Sequence, residues 1–206
     1  MAIINLKEKT IQVKIIYYGP GRSGKTTNLE YIHNRLQKTL NGEIGKLTSI
    51  DTKGDRTLFF DFFPINLGKI AGFDLKLQLY TTPGQVKYEV TRRLVLKGAD
   101  GIVFVADSLS SRQEANRESF DNLIQNLNYH KLDLDGVKLV FQWNKRDLDE
   151  NMISLTNIKD MEEQLNSELK TKSFPSSAVT GLNVLKTVNF IAKKTVKTVI
   201  ENTVFQ

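Results

Sequence analysis

A chain of 206 residues with 40% hydrophobic and 25% charged side chains can bury one sizeable core. That composition excludes a disordered polyelectrolyte, and the length favours a single domain over residues 1–206. The formal charge of +6 comes from 29 basic against 23 acidic residues. The basic residues are scattered, however. Lys186, Lys193, Lys194 and Lys197 recur at helical spacing among apolar residues, as on a solvated helix face, so neither a nucleic-acid partner nor a stable membrane anchor is expected. Cysteine is absent, which removes disulfides, thiolate metal sites and prenylated or palmitoylated tails, and fits a reducing cytoplasm. Met1–Gln12 is charged at Lys7, Glu8 and Lys9 and lacks a signal-type apolar region, and no run reaches the roughly 18 apolar residues of a membrane span.

In chain order, strand-like runs alternate with helix-like stretches, a pattern that predicts a mostly parallel sheet with helices on both faces. Val13–Tyr18 is the first strand and Thr26–Leu36 the first helix. Leu58–Phe63 and Leu75–Tyr80 read as a hairpin around Pro64–Asp74, whose Gly68 and Gly72 mark the turn. Gly101–Asp107 is a short strand in which Ile102, Val103, Phe104 and Val105 form an unbroken apolar run, expected where both faces are covered. A helix over Ser111–Tyr129, a strand over Lys138–Trp143, a helix over Ile158–Leu169, a strand over Phe174–Ala178 and a closing helix over Leu182–Ile200 complete the pattern. The expected fold is an α/β three-layer, doubly wound sheet of about six strands and five helices.

Gly19-Pro20-Gly21-Arg22-Ser23-Gly24-Lys25-Thr26 matches G-x-x-x-x-G-K-[ST] and lies between a strand and a helix, where a phosphate loop must lie. Its glycines let successive amides turn toward phosphate oxygens, and the positive end of the following helix adds to the field. Lys25 reaches the outer phosphates and Thr26 offers its hydroxyl to magnesium. This loop specifies a nucleoside triphosphate without separating ATP from GTP.

Asn144-Lys145-Arg146-Asp147 follows the strand ending at Trp143, at the carboxyl end where open α/β sheets bind ligands. The Asp147 carboxylate can accept from both N1 and N2 hydrogens of guanine; adenine offers no such pair and would leave a desolvated charge unpaired. Asp147 therefore selects GTP, Asn144 ties the segment to the phosphate loop, and the stem of Lys145 lies over the purine. Ser177-Ala178 has the place in the order of an S-A-x element whose backbone amide meets the guanine carbonyl.

Thr81-Thr82-Pro83-Gly84-Gln85 stands where Ras-like proteins carry D-x-x-G followed by glutamine, but the aspartate is replaced by Thr81. With this substitution, with Tyr17–Leu29, with Asp55-Arg56-Thr57-Leu58-Phe59-Phe60-Asp61-Phe62, and with Asn144-Lys145-Arg146-Asp147-Leu148, the chain resembles the MglA family of bacterial polarity and gliding GTPases over Lys14 to about Leu148. Arg22 and Trp143 depart from the residues more usual there.

The resemblance implies a GTP/GDP site with Mg2+, lined by Gly19, Gly21, Arg22, Ser23, Gly24, Lys25, Thr26, Thr27, Gly84, Asn144, Lys145, Asp147, Ser177 and Ala178. It implies that Thr57, with Thr26, binds magnesium, that Arg56 is an intrinsic arginine finger, that Gln85 positions the attacking water, and that Gly84 is the hinge of the second switch. It also implies a cytoplasmic monomer recruited to a cell pole, with GTP-state effectors and a roadblock-fold MglB-like dimer as activator. The first switch is expected over about Ile44–Arg56 and the second over about Thr81–Arg93. Two other readings compete: a GTP-binding module with negligible hydrolysis, and an ATP-dependent P-loop kinase or ATPase, for which Asp107 is the one comparable strand-end aspartate.

Overall fold

The computed structural model describes residues 3–38, 45–50, 60–70, 72–85, 88–134 and 136–204. Its strands are β1 (Ile3–Asn5), β2 (Thr10–Tyr18), β3 (Thr48–Ile50), β4 (Phe60–Ile70), β5 (Phe73–Thr81), β6 (Gly101–Asp107), β7 (Lys138–Asn144) and β8 (Ser173–Pro175). The helices are α1 (Lys25–Gln37), α2 (Glu89–Leu96), α3 (Gln113–Tyr129), α4 (Ile158–Asn166) and α5 (Val184–Val204). The sheet runs β3-β4-β5-β2-β6-β7-β8, with β5, β2, β6, β7 and β8 parallel and β4 antiparallel to β5. β1 pairs antiparallel with the Thr10–Gln12 stretch of β2, below the residues that β6 takes.

Alternation along β2 distributes its side chains between the two faces of the sheet. Val13, Ile15 and Tyr17 join Leu29 and Ile32 of α1 and Val184, Val188 and Ile191 of α5. Ile16 and Tyr18 join Val95 and Leu96 of α2, Leu123 and Leu127 of α3, and Met161 and Leu165 of α4. The three layers follow. Every residue of β6 is buried, and each fully buried Val, Ile or Phe there contributes about 1.5–3 kcal/mol of transfer free energy. Lys186, Lys193, Lys194 and Lys197 lie exposed on α5.

Beyond the six expected strands, the short β1 and β3 appear, and they are too brief to carry a periodic signal. The hairpin is tighter than expected, since both strands run on through Pro64–Asp74 with a register shift between Asn66 and Lys69. Pro64 is tolerated because its backbone faces away from β5: its carbonyl accepts from Gly45 N at 3.0 Å, so the missing N–H costs no ladder bond. α4 stops at Asn166, earlier than the expected Leu169, because the Asn166 side chain pairs with both N and O of Thr171 at 2.9 Å and Lys170 turns left-handed at φ 46°. α2 begins inside the span read as the second switch and runs on past Arg93. Its inner face includes Thr91 and Arg92, which hid it from an apolar pattern.

Lys14 carries a pH consequence. Its Nζ donates to Lys97 O at 2.9 Å, and burial lowers its pKa to about 8, against the raising influence of Asp100. The unfolded chain therefore binds more protons between about pH 8 and the ordinary lysine value of 10.5, so stability should rise with pH across that window. Urea denaturation at stepped pH checks it, and Lys14→Met should flatten the rise.

Candidate nucleotide site

The chain crosses from one side of the sheet to the other around β2, and ligands bind open α/β sheets at the carboxyl ends beside such a switch point. β2 ends at Tyr18, β5 at Thr81, β6 at Asp107 and β7 at Asn144. The phosphate loop, Gly84-Gln85, Asp107 and Asn144–Asp147 therefore open on the same rim.

The phosphate loop alternates left-handed with ordinary backbone: Gly19 has φ 144°, Arg22 65° and Gly24 97°, the concave arrangement of amides that binds anions. A Cβ on Gly19 would lie 2.3 Å from Val105 O, and one on Gly24 2.3 Å from Asn144 Nδ2, so only glycine lets the loop sit this close to its neighbours. α1 begins at Lys25, and its first amides have no helical acceptor. Lys25 is 7% exposed and its Nζ donates to Gly19 O at 2.9 Å and Pro20 O at 2.7 Å. Burial pushes its pKa down to about 7, and Arg92 and Arg112 push the same way against Asp61. Such a cation gains from an anionic ligand. Ser23 is buried with its Oγ unpartnered, Arg22 is exposed, and Thr27 is partly buried.

Thr26 Oγ1 donates to Asp61 Oδ2 at 2.6 Å. Thr81 Oγ1 donates to the same oxygen at 3.0 Å and accepts from Asp61 N at 2.8 Å. The β4–β5 register pairs Phe62 with Tyr80, and one step further sets Asp61 opposite Thr81. A carboxylate thus reaches the hydroxyl of the phosphate-loop threonine from β4, beside the position where Ras-like proteins carry their D-x-x-G aspartate. Among the described residues no cluster of three or more His, Cys, Asp or Glu could hold a metal. A hydroxyl and a carboxylate do fit magnesium, which keeps several waters and takes one or two protein oxygens together with substrate phosphates.

Gly84 presses on the phosphate loop, where a Cβ on it would lie 2.3 Å from Gly21 Cα. Gln85 is exposed beside it. Both line a cleft of about 350 Å³ with Pro20, Gly21, Arg22 and Arg112. Arg56 and Thr57 lie outside the described residues.

At the other end, Asn144 Nδ2 donates to Ser23 O at 2.7 Å and Asn144 Oδ1 accepts from Ala178 N at 2.8 Å. One buried amide thereby joins the phosphate loop, β7 and the loop after β8. The Ala178 amide is thus engaged within the protein, and Ser177 is buried beside it, its Oγ accepting from Thr180 N at 3.0 Å. Lys145 is left-handed, at φ 72°, and its Nζ donates to Asp107 Oδ2 at 2.7 Å. Asp147 is exposed. Trp143 is fully buried, stacked on Phe141 at 4.9 Å with its Nε1 donating to Glu162.

Sequence motifs did not single out Asp61, because it reaches Thr26 only through the β4–β5 register, one hairpin away from the position that lost its aspartate.

The Ras family model matches residues 14–197. Mutual gliding-motility protein MglA of Myxococcus xanthus is 47% identical over 193 residues, 94% of this chain and 95% of that protein. Ras-related protein RABE1d of Arabidopsis thaliana is 30% identical over 64% of this chain and 57% of its own length. Ras-related protein rab-39 of Caenorhabditis elegans is 26% identical over 89% and 72%.

Proposed function

Because the chain belongs to the Ras family of small GTPases and is related to MglA across nearly its whole length, we propose that it is a GTP-hydrolysing switch controlling partner binding in gliding motility or cell polarity. The observation that supports this is Asn144, which hydrogen-bonds the phosphate loop at Ser23 and so ties the end of β7, which leads to Asp147, to the phosphate cradle. Gly19, Gly21, Arg22, Ser23, Gly24, Lys25, Thr26 and Thr27 hold the phosphates; Asn144, Lys145, Asp147, Ser177 and Ala178 frame the base.

Hydrolysis adds water to the γ-phosphorus and breaks its bond to the β–γ bridging oxygen, giving GDP and phosphate, so catalysis is mainly positioning and charge neutralisation. Gln85 orients the water, Arg56 neutralises developing charge and Lys25 clamps the outer oxygens. Thr26 and Thr57 would hold magnesium, which would supply further neutralisation of phosphate charge. Asp61 takes the part of the absent D-x-x-G aspartate by orienting the Thr26 hydroxyl. Loss of the γ-phosphate releases Thr57 and Gly84, which turns hydrolysis into a change of partner affinity. A roadblock-fold dimer that orders the first switch would accelerate turnover without inserting a side chain, and the protein would work in the cytoplasm, recruited to a pole.

Single-turnover assays with GTP and ATP across a magnesium titration test this. The wild-type chain should favour GTP, and Asp61→Ala should need about 10–100-fold more magnesium, the usual cost of losing an outer-shell partner. Equal affinity for ATP would overturn the reading; intact GTP even with an activator would reduce it to a binding module.

A further inference from the structure

Asp107 ends β6 with a side chain that is 0% exposed, yet nothing proposed for hydrolysis uses it. The Thr26 hydroxyl is bonded to Asp61, not to Asp107. Asp107 Oδ2 instead accepts from Lys145 Nζ at 2.7 Å and stands 3.7 Å from Arg112 Nε. Arg112, from the turn before α3, donates through Nη2 to Gly21 O at 2.8 Å. A continuous chain of charged contacts therefore runs from the phosphate loop at Gly21, through Arg112 and Asp107, to Lys145 of the base-reading motif.

The carboxylate is rigidly built. Asn116 clamps the Asp107 backbone by accepting from its N at 2.9 Å and donating to its O at 2.8 Å. Asp107 Oδ1 accepts from Leu109 N at 3.1 Å, leaving Oδ2 to the two cations. Both ends of the chain are in sparsely populated backbone: Lys145 at φ 72° and Arg22, beside Gly21, at φ 65°. Such conformations persist only where the surroundings over-determine them, and an ion pair on a desolvated carboxylate is a strong constraint.

We infer that Asp107 is a positioning residue which anchors the Lys145 ammonium so that its stem lies flat along the purine, and which couples that anchor through Arg112 to the phosphate loop, setting how long a guanine nucleotide stays bound. This rests on Lys145 framing the base. Asp107→Asn keeps the shape and removes the charge, so it lengthens and weakens the bond to Lys145 at one end of the chain and the pairing with Arg112 at the other.

The test is dissociation of a fluorescent GDP analogue from the full chain, chased with unlabelled GDP. Asp107→Asn should release it about tenfold faster or more, the range for hydrogen bonds to charged groups. Because Asp107 acts through Lys145, the double variant with Lys145→Met should be little faster than Lys145→Met alone. A release rate within about twofold of wild type, well inside the effect expected of a charged hydrogen bond, or an acceleration that adds in full to that of Lys145→Met, overturns the inference. Should Asp107→Asn fail to fold, Arg112→Gln cuts the same chain at its partly exposed end, and unchanged release there overturns it too. A wild-type chain that never retains the labelled GDP sinks the guanine reading itself, whereas retention with insensitive variants sinks only the tether.

Discussion

Asp147→Asn should lower affinity for GDP and GTP about a hundredfold or more while improving that for xanthine nucleotides, because two hydrogen bonds to a charged group contribute about 1.5–3 kcal/mol each. A carboxylate accepts from both N1–H and N2–H of guanine, whereas a carboxamide presents one acceptor and one donor. The donor opposes the guanine amino group and suits the second carbonyl of xanthine. Asp147 is exposed and enters no hydrogen bond or ion pair among the described residues, so the substitution disturbs nothing in the folded chain, and its effect should fall on ligand preference alone. Competition calorimetry with the two base types gives the answer. An unchanged preference with an unchanged melting temperature would mean that the base lies elsewhere.

Lys25→Met should cost about a hundredfold or more in affinity for GTP, the order expected when one partner of a buried charge pair is truncated. The substitution keeps the length of the side chain and removes the ammonium. It also removes the bonds to Gly19 O and Pro20 O that brace the loop, but it relieves the burial of a cation whose pKa is pushed down to about 7. The two effects on the free protein oppose each other, so the melting temperature of the free chain should move little while nucleotide-induced stabilisation is lost. Thermal melts with and without GDP and magnesium separate these outcomes.

Much of this arrangement is legible in the residues themselves. The phosphate loop announces itself because glycines, Lys25 and Thr26 together suit one phosphate-binding geometry, and Asn144 because its place at a strand end lets it bond the loop at Ser23. Asp61 is hidden for a physical reason: it reaches Thr26 across a hairpin register, and register is fixed by pairing and turn geometry rather than by any local pattern. Asp107 is legible as a strand-end carboxylate but not in its direction, since only the packing of the turn before α3 brings Arg112 against it. Helix α2 escapes an apolar reading because Arg92 on its inner face is fully buried, donating to Tyr18 OH at 2.9 Å and Ser119 Oγ at 3.1 Å. The Ala178 amide is another such case, claimed by Asn144 although its place in the order aims the element at the base.

Trp143 is the only tryptophan in the chain, and it directly precedes the asparagine that ties base loop to phosphate loop. Its indole is walled off from solvent against Phe141 and held by Glu162. The molecule therefore carries an intrinsic fluorophore one residue from the asparagine that bonds Ser23 and Ala178, and an emission change on adding guanine nucleotide would follow binding in real time without any dye attached to protein or nucleotide.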